Sequence, residues 1–205
     1  MEASDQEVKS CAEAYSAAPW GEVQDLESVK KYLSKIRNNP NCFVIDLKDT
    51  SDDLPYLYIH GINYGKDIQG LIDEEFTGEH ALWRTNDKDR YKIQDFLGSL
   101  DSAVYISNIH ADKSAPVDSD KKPRLKVLDD VLADLFDRYN SDAIVLMTHY
   151  KTGVSKALKN IDRNKFTLES IDYEATCDTR FNDNHQIDYL TAYIIRRTKG
   201  PIPTT

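Results

Sequence analysis

This sequence predicts an α/β chain with α+β character, and three observations predict it. Residues 103–111 and 143–147 are apolar, strand-like runs separated by a polar loop and an amphipathic stretch. Residues 42–47 and 54–59 flank a polar turn, as the two arms of an antiparallel hairpin do. Helical periodicity opens the chain, and two further strand-like runs close it. A strand, a helix and a strand in that order form a parallel crossover, right-handed in nearly all known cases. Such a unit aims the free N–H groups at the start of its helix toward the carboxyl end of the first strand, where anions dock.

The elements follow in order. Residues 5–17 suit a first helix, with Val8, Cys11, Ala12 and Tyr15 on one stripe, and Ala18-Pro19-Trp20-Gly21 breaks it. Asp25 is placed to cap a second helix whose apolar face is Leu26, Val29, Leu33 and Ile36. The hairpin comes next, with Pro55 near a strand start or on an edge. Residues 65–100 are the least regular. Ile68, Leu71, Ile72 and Phe76 suit a short helix, and Tyr91, Ile93, Phe96 and Leu97 another. This stretch reads as an insertion in a single domain spanning 1–205, either a lid over a pocket or a surface elaboration.

The crossover follows. Pro123-Arg124 opens its helix, and Leu128, Val131, Leu132, Leu135, Phe136 and Tyr139 form its apolar stripe. Val154, Ala157, Leu158 and Ile161 mark a last helix, residues 166–171 and 189–195 the closing strands, and residues 200–203 a frayed tail.

Composition narrows the function classes. A 205-residue chain that is 40% hydrophobic and 30% charged has the makeup of a soluble globular protein. No apolar run approaches the roughly 18–20 residues that span a bilayer. A net charge of −9 argues against a nucleic-acid surface. It favours cationic substrates such as amines by steering, or serves solubility alone. Lys121, Lys122, Arg124 and Lys126 form a local basic cluster against that average. The acidic N-terminus lacks a signal-peptide pattern, and three widely spaced cysteines suit reduced thiols, so a cytoplasmic location is expected. The five histidines lack metal-ligand spacing, so no metal is expected.

The element order resembles that of the GCN5-related N-acetyltransferase (GNAT) superfamily, which transfers acetyl from acetyl-coenzyme A to an amine. Two local matches carry the resemblance: Ala14-Tyr15-Ser16-Ala17-Ala18-Pro19-Trp20-Gly21-Glu22 with Leu26-Glu27-Ser28-Val29, and Pro123-Arg124 entering the central helix. It implies a mixed, mostly antiparallel central sheet with one parallel crossover and helices on both faces. It also implies acetyl-CoA as cosubstrate and a small-molecule or peptide amine as partner, with no nucleic acid and no membrane; a homodimer is left open.

The family's pyrophosphate pattern, Arg/Gln-x-x-Gly-x-Gly/Ala, falls on Arg124, Leu125, Lys126, Val127, Leu128 and Asp129. Val127 and Asp129 replace its small residues. Val127 adds branched bulk, and Asp129 favours the helix start while repelling a phosphate. The thioester-facing backbone maps onto Ile109, His110 and Ala111, and the proton-removing position onto Asn108. Asn108 is no base but can position a water. His110, Asp112 and His149 are the nearby titratable groups, and a neutral imidazole at His149 has a suitable pKa. Tyr150 is a substitute proton donor for the general-acid Tyr, whose place Ile161 takes. Each of these residues also has a plain reading as a loop, core or surface residue.

Two further functions stand beside acetyl transfer. A GNAT-like domain that binds a ligand or partner without catalysis would explain Val127, Asp129, Asn108 and Ile161 together. An unrelated α/β protein would keep the ends of the two central strands paired.

Overall fold

The computed structural model describes residues 4–16, 26–47, 57–78, 81, 83–111, 127–149, 153–177 and 187–198. Helices α1 (Asp5–Ser16) and α2 (Leu26–Asn38) precede strands β1 (Cys42–Leu47) and β2 (Leu57–Gly65). Helix α3 (Ile68–Ile72) continues into a π-helical turn at Asp73–Thr77, then strand β3 (Trp83–Thr85) and helix α4 (Asp87–Gly98). Strand β4 (Ala103–Ala111), helix α5 (Leu128–Tyr139) and strand β5 (Ala143–His149) are the crossover. Helix α6 (Gly153–Leu158) and strands β6 (Phe166–Cys177) and β7 (Ile187–Arg197) close the chain.

The strands form one seven-stranded sheet in the order β1-β2-β4-β5-β7-β6-β3. Among the described strands, only β4 and β5 pair in parallel; every other neighbouring pair is antiparallel. This is the mixed sheet that the resemblance implies. The hairpin arms of 42–47 and 54–59 become β1 and a longer β2 whose described part starts at Leu57, and Pro55 and Asp25 lie outside the described residues.

Alternation along the central strands assigns the two faces. Val104, Ile106, Ile144 and Leu146 point to one face, where Leu128, Val131, Leu132, Leu135 and Phe136 of α5 cover them with Leu158 of α6. Asn140 ends α5 in the left-handed conformation at φ 46°, and its N–H bonds the Phe136 carbonyl. Ala103, Tyr105, Ala143 and Val145 point to the other face, into a second core. Residues 65–100 build half of that core with Ile68, Leu71, Phe76, Trp83, Ile93 and Leu97. The strand in this stretch, β3, pairs with the end of β6; Trp83-Arg84-Thr85 is too short to show periodicity in sequence.

The α1–α2 pair shares this second face. Ile59 packs with the α5 core, so its neighbour His60 points the opposite way, onto Glu7 of α1. Val8, Cys11, Ala12, Val29 and Leu33 seal the two helices together. Leu26, expected on the apolar face of α2, is instead exposed, because the helix begins there and no partner lies over it. Ser4 caps α1, its Oγ accepting the Glu7 N–H at 3.2 Å.

Candidate active site

The site begins where the parallel pair ends. β4 and β5 pair from Ala103↔Ala143 to Ile106↔Leu146 and no further. β4 then continues to Ala111 along β2, while β5 continues to His149 along β7. Among the described residues, no strand lies between their facing edges past Ile106 and Leu146. Alternate N–H and C=O groups of each edge thus have no ladder partner among the described strands.

A bulge accompanies the parting. Gly61 pairs with Ile106 but His60 pairs with Asn108, so Ser107 is an extra residue on β4. A bulge bends its strand and sharpens the local twist, which carries β4 away from β5. The Ser107 hydroxyl donates to the His60 carbonyl at 3.3 Å. Gly61 is required opposite: a Cβ there would strike the Phe43 ring and the Tyr105 carbonyl oxygen.

Helix α5 starts at Leu128, four residues after the predicted opening at Arg124. Val127 is its N-cap residue, and no described side chain caps the first turn. Uncapped N–H groups at a helix start favour an anion. Asp129 does not simply oppose this, because its Oδ1 accepts the Asp162 N–H at 3.3 Å and so is engaged with the loop after α6. Val127 packs its branched side chain onto the α5 core.

His149 is the last residue of β5 and is 1% exposed. Its Nε2 lies 3.0 Å from Oδ2 of Asp188, near the start of β7. The other carboxylate oxygen, Oδ1, accepts the Tyr189 N–H at 2.8 Å. The Thr148 hydroxyl donates to the His149 carbonyl at 3.2 Å.

On the β4 side, the Asn108 amide lies 3.9 Å from the Cys11 sulfur of α1. Burial, with the nearby Glu7 charge, pushes the Cys11 thiol up to about 12, so it stays protonated and is no nucleophile at neutral pH. Beneath it, Glu7 Oε1 lies 3.2 Å from Nε2 of His60, and Oε2 accepts from Arg37 at 2.6 and 3.0 Å. Arg37 also reaches Asp46 at 3.1 Å. Burial pushes the Glu7 carboxyl up, but the hydrogen bonds from His60 and Arg37 outweigh it and hold it below its ordinary value.

Of the sequence-predicted residues, Asn108 and Ile109 lie on β4 just past the bulge, and His110 and Ala111 end that strand. Ile109 pairs with Ile59 and packs on the α5 core. Val127, Leu128 and Asp129 form the helix start, and His149 ends β5. The described residues thus place Asn108 and His149 on the two strands that part. Arg124, Leu125, Lys126, Asp112 and Tyr150 lie outside the described residues. Ile161, in the place of the general-acid Tyr, is a core residue. Sequence reading missed Glu7, His60 and Asp188. Glu7 reads as part of a Ser4-x-x-Glu7 capping box, and only its place one turn before Cys11 hints that it faces inward. Among the described residues, no cluster of His, Cys, Asp or Glu is placed to hold a metal, and no helix is long and apolar enough to cross a membrane.

The whole chain superposes on solved acetyltransferases. A ribosomal-protein-alanine N-acetyltransferase from Brucella melitensis matches 97% of this chain and 98% of its own, with a TM-score of 0.51 at 10% identity. The chain has the GNAT fold. A variant of the spermidine N-acetyltransferase SpeG from Vibrio cholerae matches 96% of this chain and 93% of its own, with a TM-score of 0.49 at 9% identity. No protein-family model matches the chain, and no curated protein matches it by sequence. The likeness to GNAT proteins is one of architecture. The central strands of this chain do not stay paired past Ile106 and Leu146.

Proposed function

We propose that this chain transfers the acetyl group of acetyl-CoA to a primary amine of a small molecule or peptide. The observation that carries the reading is the parting of β4 and β5 past Ile106 and Leu146, with a helix start that no described side chain caps. The residues present fit the cosubstrate. The α5 start supplies N–H groups of Val127, Leu128 and Asp129 for a pyrophosphate, and Arg124, Leu125 and Lys126 precede it in sequence with two positive charges. The Asp129 carboxylate, held on Asp162, leaves the backbone of that turn to the anion. The open edge of β4 at Ile109, His110 and Ala111 offers backbone N–H donors for the oxyanion that develops on the acyl carbon.

An ammonium, with a pKa near ~10, must lose a proton before its nitrogen attacks. His149 is the proton acceptor in this reading, and Asn108 orients the amine or a water from the opposite strand. One C–N bond forms to the acyl carbon and its C–S bond breaks. The ammonium gives up two protons in all: the first goes to His149 and on to solvent, the second to the departing thiolate. Tyr150 and His110, the two donors that the sequence offers next to these strand ends, are assigned the second proton in this reading.

A binding module without catalysis is the second reading, favoured by Ile161, a buried core residue where a general-acid Tyr is expected. One assay separates the two. Incubation with acetyl-CoA and a panel of polyamines and peptide α-amines is expected to release free thiol and an acetylated product. His149→Gln is expected to lower kcat roughly a hundredfold. Thiol release no faster than the protein-free blank across the panel would leave the binding module standing.

A further inference from the structure

Two carboxylates converge on one phenol at the margin of the second core. The Tyr64 hydroxyl lies 3.0 Å from Glu74 Oε2 and 2.8 Å from Glu75 Oε1. A phenol donates only once, so one of the two contacts is short of a hydrogen. Among the described residues no cation makes up the difference: the groups that act on the Glu75 carboxyl, after burial, are Tyr64 and Glu74. Tyr105 of β4 adds a second shortfall. It is 3% exposed, and its hydroxyl has no hydrogen-bond partner among the described residues. A buried polar group is costly to leave so. Its ring meets Phe76, the residue after Glu75, edge-on with 5.9 Å between centroids. Burial, and after it the Glu75 charge, push its phenol well above the ordinary range, so the hydroxyl is aimed at that carboxylate.

We propose that Glu74, Glu75, Tyr64 and Tyr105 form a subsite for the second ammonium of a diamine or polyamine acceptor. The acceptor role rests on the acetyl-transfer reading, whereas the binding of an alkylammonium stands on the four side chains alone. An ammonium carries three N–H donors, which suit Glu74 Oε2, Glu75 Oε1 and the Tyr105 hydroxyl oxygen. The rings of Tyr64, Tyr105 and Phe76 suit its charge and the methylenes beside it. A hard metal ion asks for more oxygen ligands than this set offers. Glu74 is exposed and Glu75 and Tyr64 are half-buried, so a cation reaches them from solvent. Tyr105 is one residue before Ile106, the last to pair before β4 and β5 part. It shares the second face with Asn108, which meets Cys11 of α1, and with His149, whose ladder partner Leu190 belongs to the second core. Tyr105 and Asn108 are three residues apart along β4, about 10 Å. A polyamine lying along β4 then presents one nitrogen between Asn108 and His149 and leaves another at Glu75.

Isothermal titration of spermidine into the full chain, without acetyl-CoA, tests the subsite by itself. Saturable heat that weakens with added salt is expected. Glu75→Gln should lower the affinity roughly tenfold to a hundredfold, and Tyr105→Phe, which keeps the ring and its packing, roughly threefold to tenfold. Absence of saturable heat with millimolar spermidine, or wild-type affinity in both variants, would overturn the proposal. The acetylation assay then tests the acceptor role by comparing spermidine with n-butylamine, which lacks a second nitrogen. Spermidine is expected to have the higher kcat/KM by roughly tenfold or more. Glu75→Gln should remove most of that preference by raising the spermidine KM, with n-butylamine kinetics within about twofold of wild type. Equal losses for the two amines would overturn the acceptor role. If the wild-type protein acetylates nothing, the acetyl-transfer reading fails, while the titration still decides whether the four side chains bind an alkylammonium.

Discussion

β4 and β5 run side by side for four residue pairs and then part, and different chemistry braces each free end. β4 leans on α1. Its Asn108 meets Cys11, and one turn away Glu7 joins His60, Arg37 and, through Arg37, Asp46 in a buried network. β5 leans on β7, through three ladder pairs past Leu146 and the His149–Asp188 contact. A ladder spreads its stabilisation over many backbone hydrogen bonds. The free end of β4 has a ladder of its own, with β2 from Asn108 to Ala111, but it adds a buried charge network that concentrates stabilisation in one carboxylate, so a single substitution acts hardest on the β4 side.

That asymmetry can be broken most forcefully at Glu7. Glu7→Gln removes the charge that Arg37 and His60 share, and truncating a buried pair typically costs about 3–5 kcal/mol. Urea unfolding of the variant should therefore show a much lower midpoint. Because the Glu7 carboxyl is held below its ordinary value, its contribution is full above that value and is lost as pH falls through the folded pKa.

Glu75 gives the opposite pH dependence at the closed end of the sheet. The single Tyr64 hydroxyl proton faces two carboxylates, Glu74 Oε2 at 3.0 Å and Glu75 Oε1 at 2.8 Å. A phenol donates once, so the second contact needs a proton on a carboxyl. Burial pushes Glu75 up from 4.5 to about 7, against the lowering effect of the Tyr64 bond and with a contribution from the Glu74 charge. Between those values the folded chain holds a proton that the unfolded chain has released, so stability falls as pH rises from 4.5 to 7. The full effect is about 3 kcal/mol. Glu75→Gln should flatten that part of the stability–pH curve; an unflattened curve would place the titration elsewhere.

The smallest of these effects sharpens the link between the bulge and the parting. Gly61→Ala drives a methyl group into the Phe43 ring and the Tyr105 carbonyl, with an expected cost of about 1–3 kcal/mol. Hydrogen exchange should locate the loosened amides at residues 57–62 and 105–109, with β5 and β7 unaffected.

The fold was legible where periodicity is long. The α5 stripe, the β4 and β5 runs and the closing strands all stand where the residues predict, because each buries one continuous face. The α3–α4 region was harder to read. Its first helix passes into a π-helical turn after Ile72, which breaks the periodicity, and Trp83-Arg84-Thr85 is fixed only by its distant partner β6. At the site, the position of His149 was legible because it follows an apolar run. Asp188 was not, since nothing local in Asn184-His185-Gln186-Ile187-Asp188 signals a partner 39 residues earlier. Glu7 and His60 were hidden for the same reason. A buried ion pair between a helix and a strand depends on tertiary contact, and each residue alone looks like an ordinary surface polar group.

Isothermal titration of acetyl-CoA into the full chain tests most directly whether the parted strands and the open α5 start form a cosubstrate site. Saturable one-to-one heat, weakened as salt screens the pyrophosphate contacts, is the predicted result. Absence of saturable heat with millimolar acetyl-CoA would contradict it.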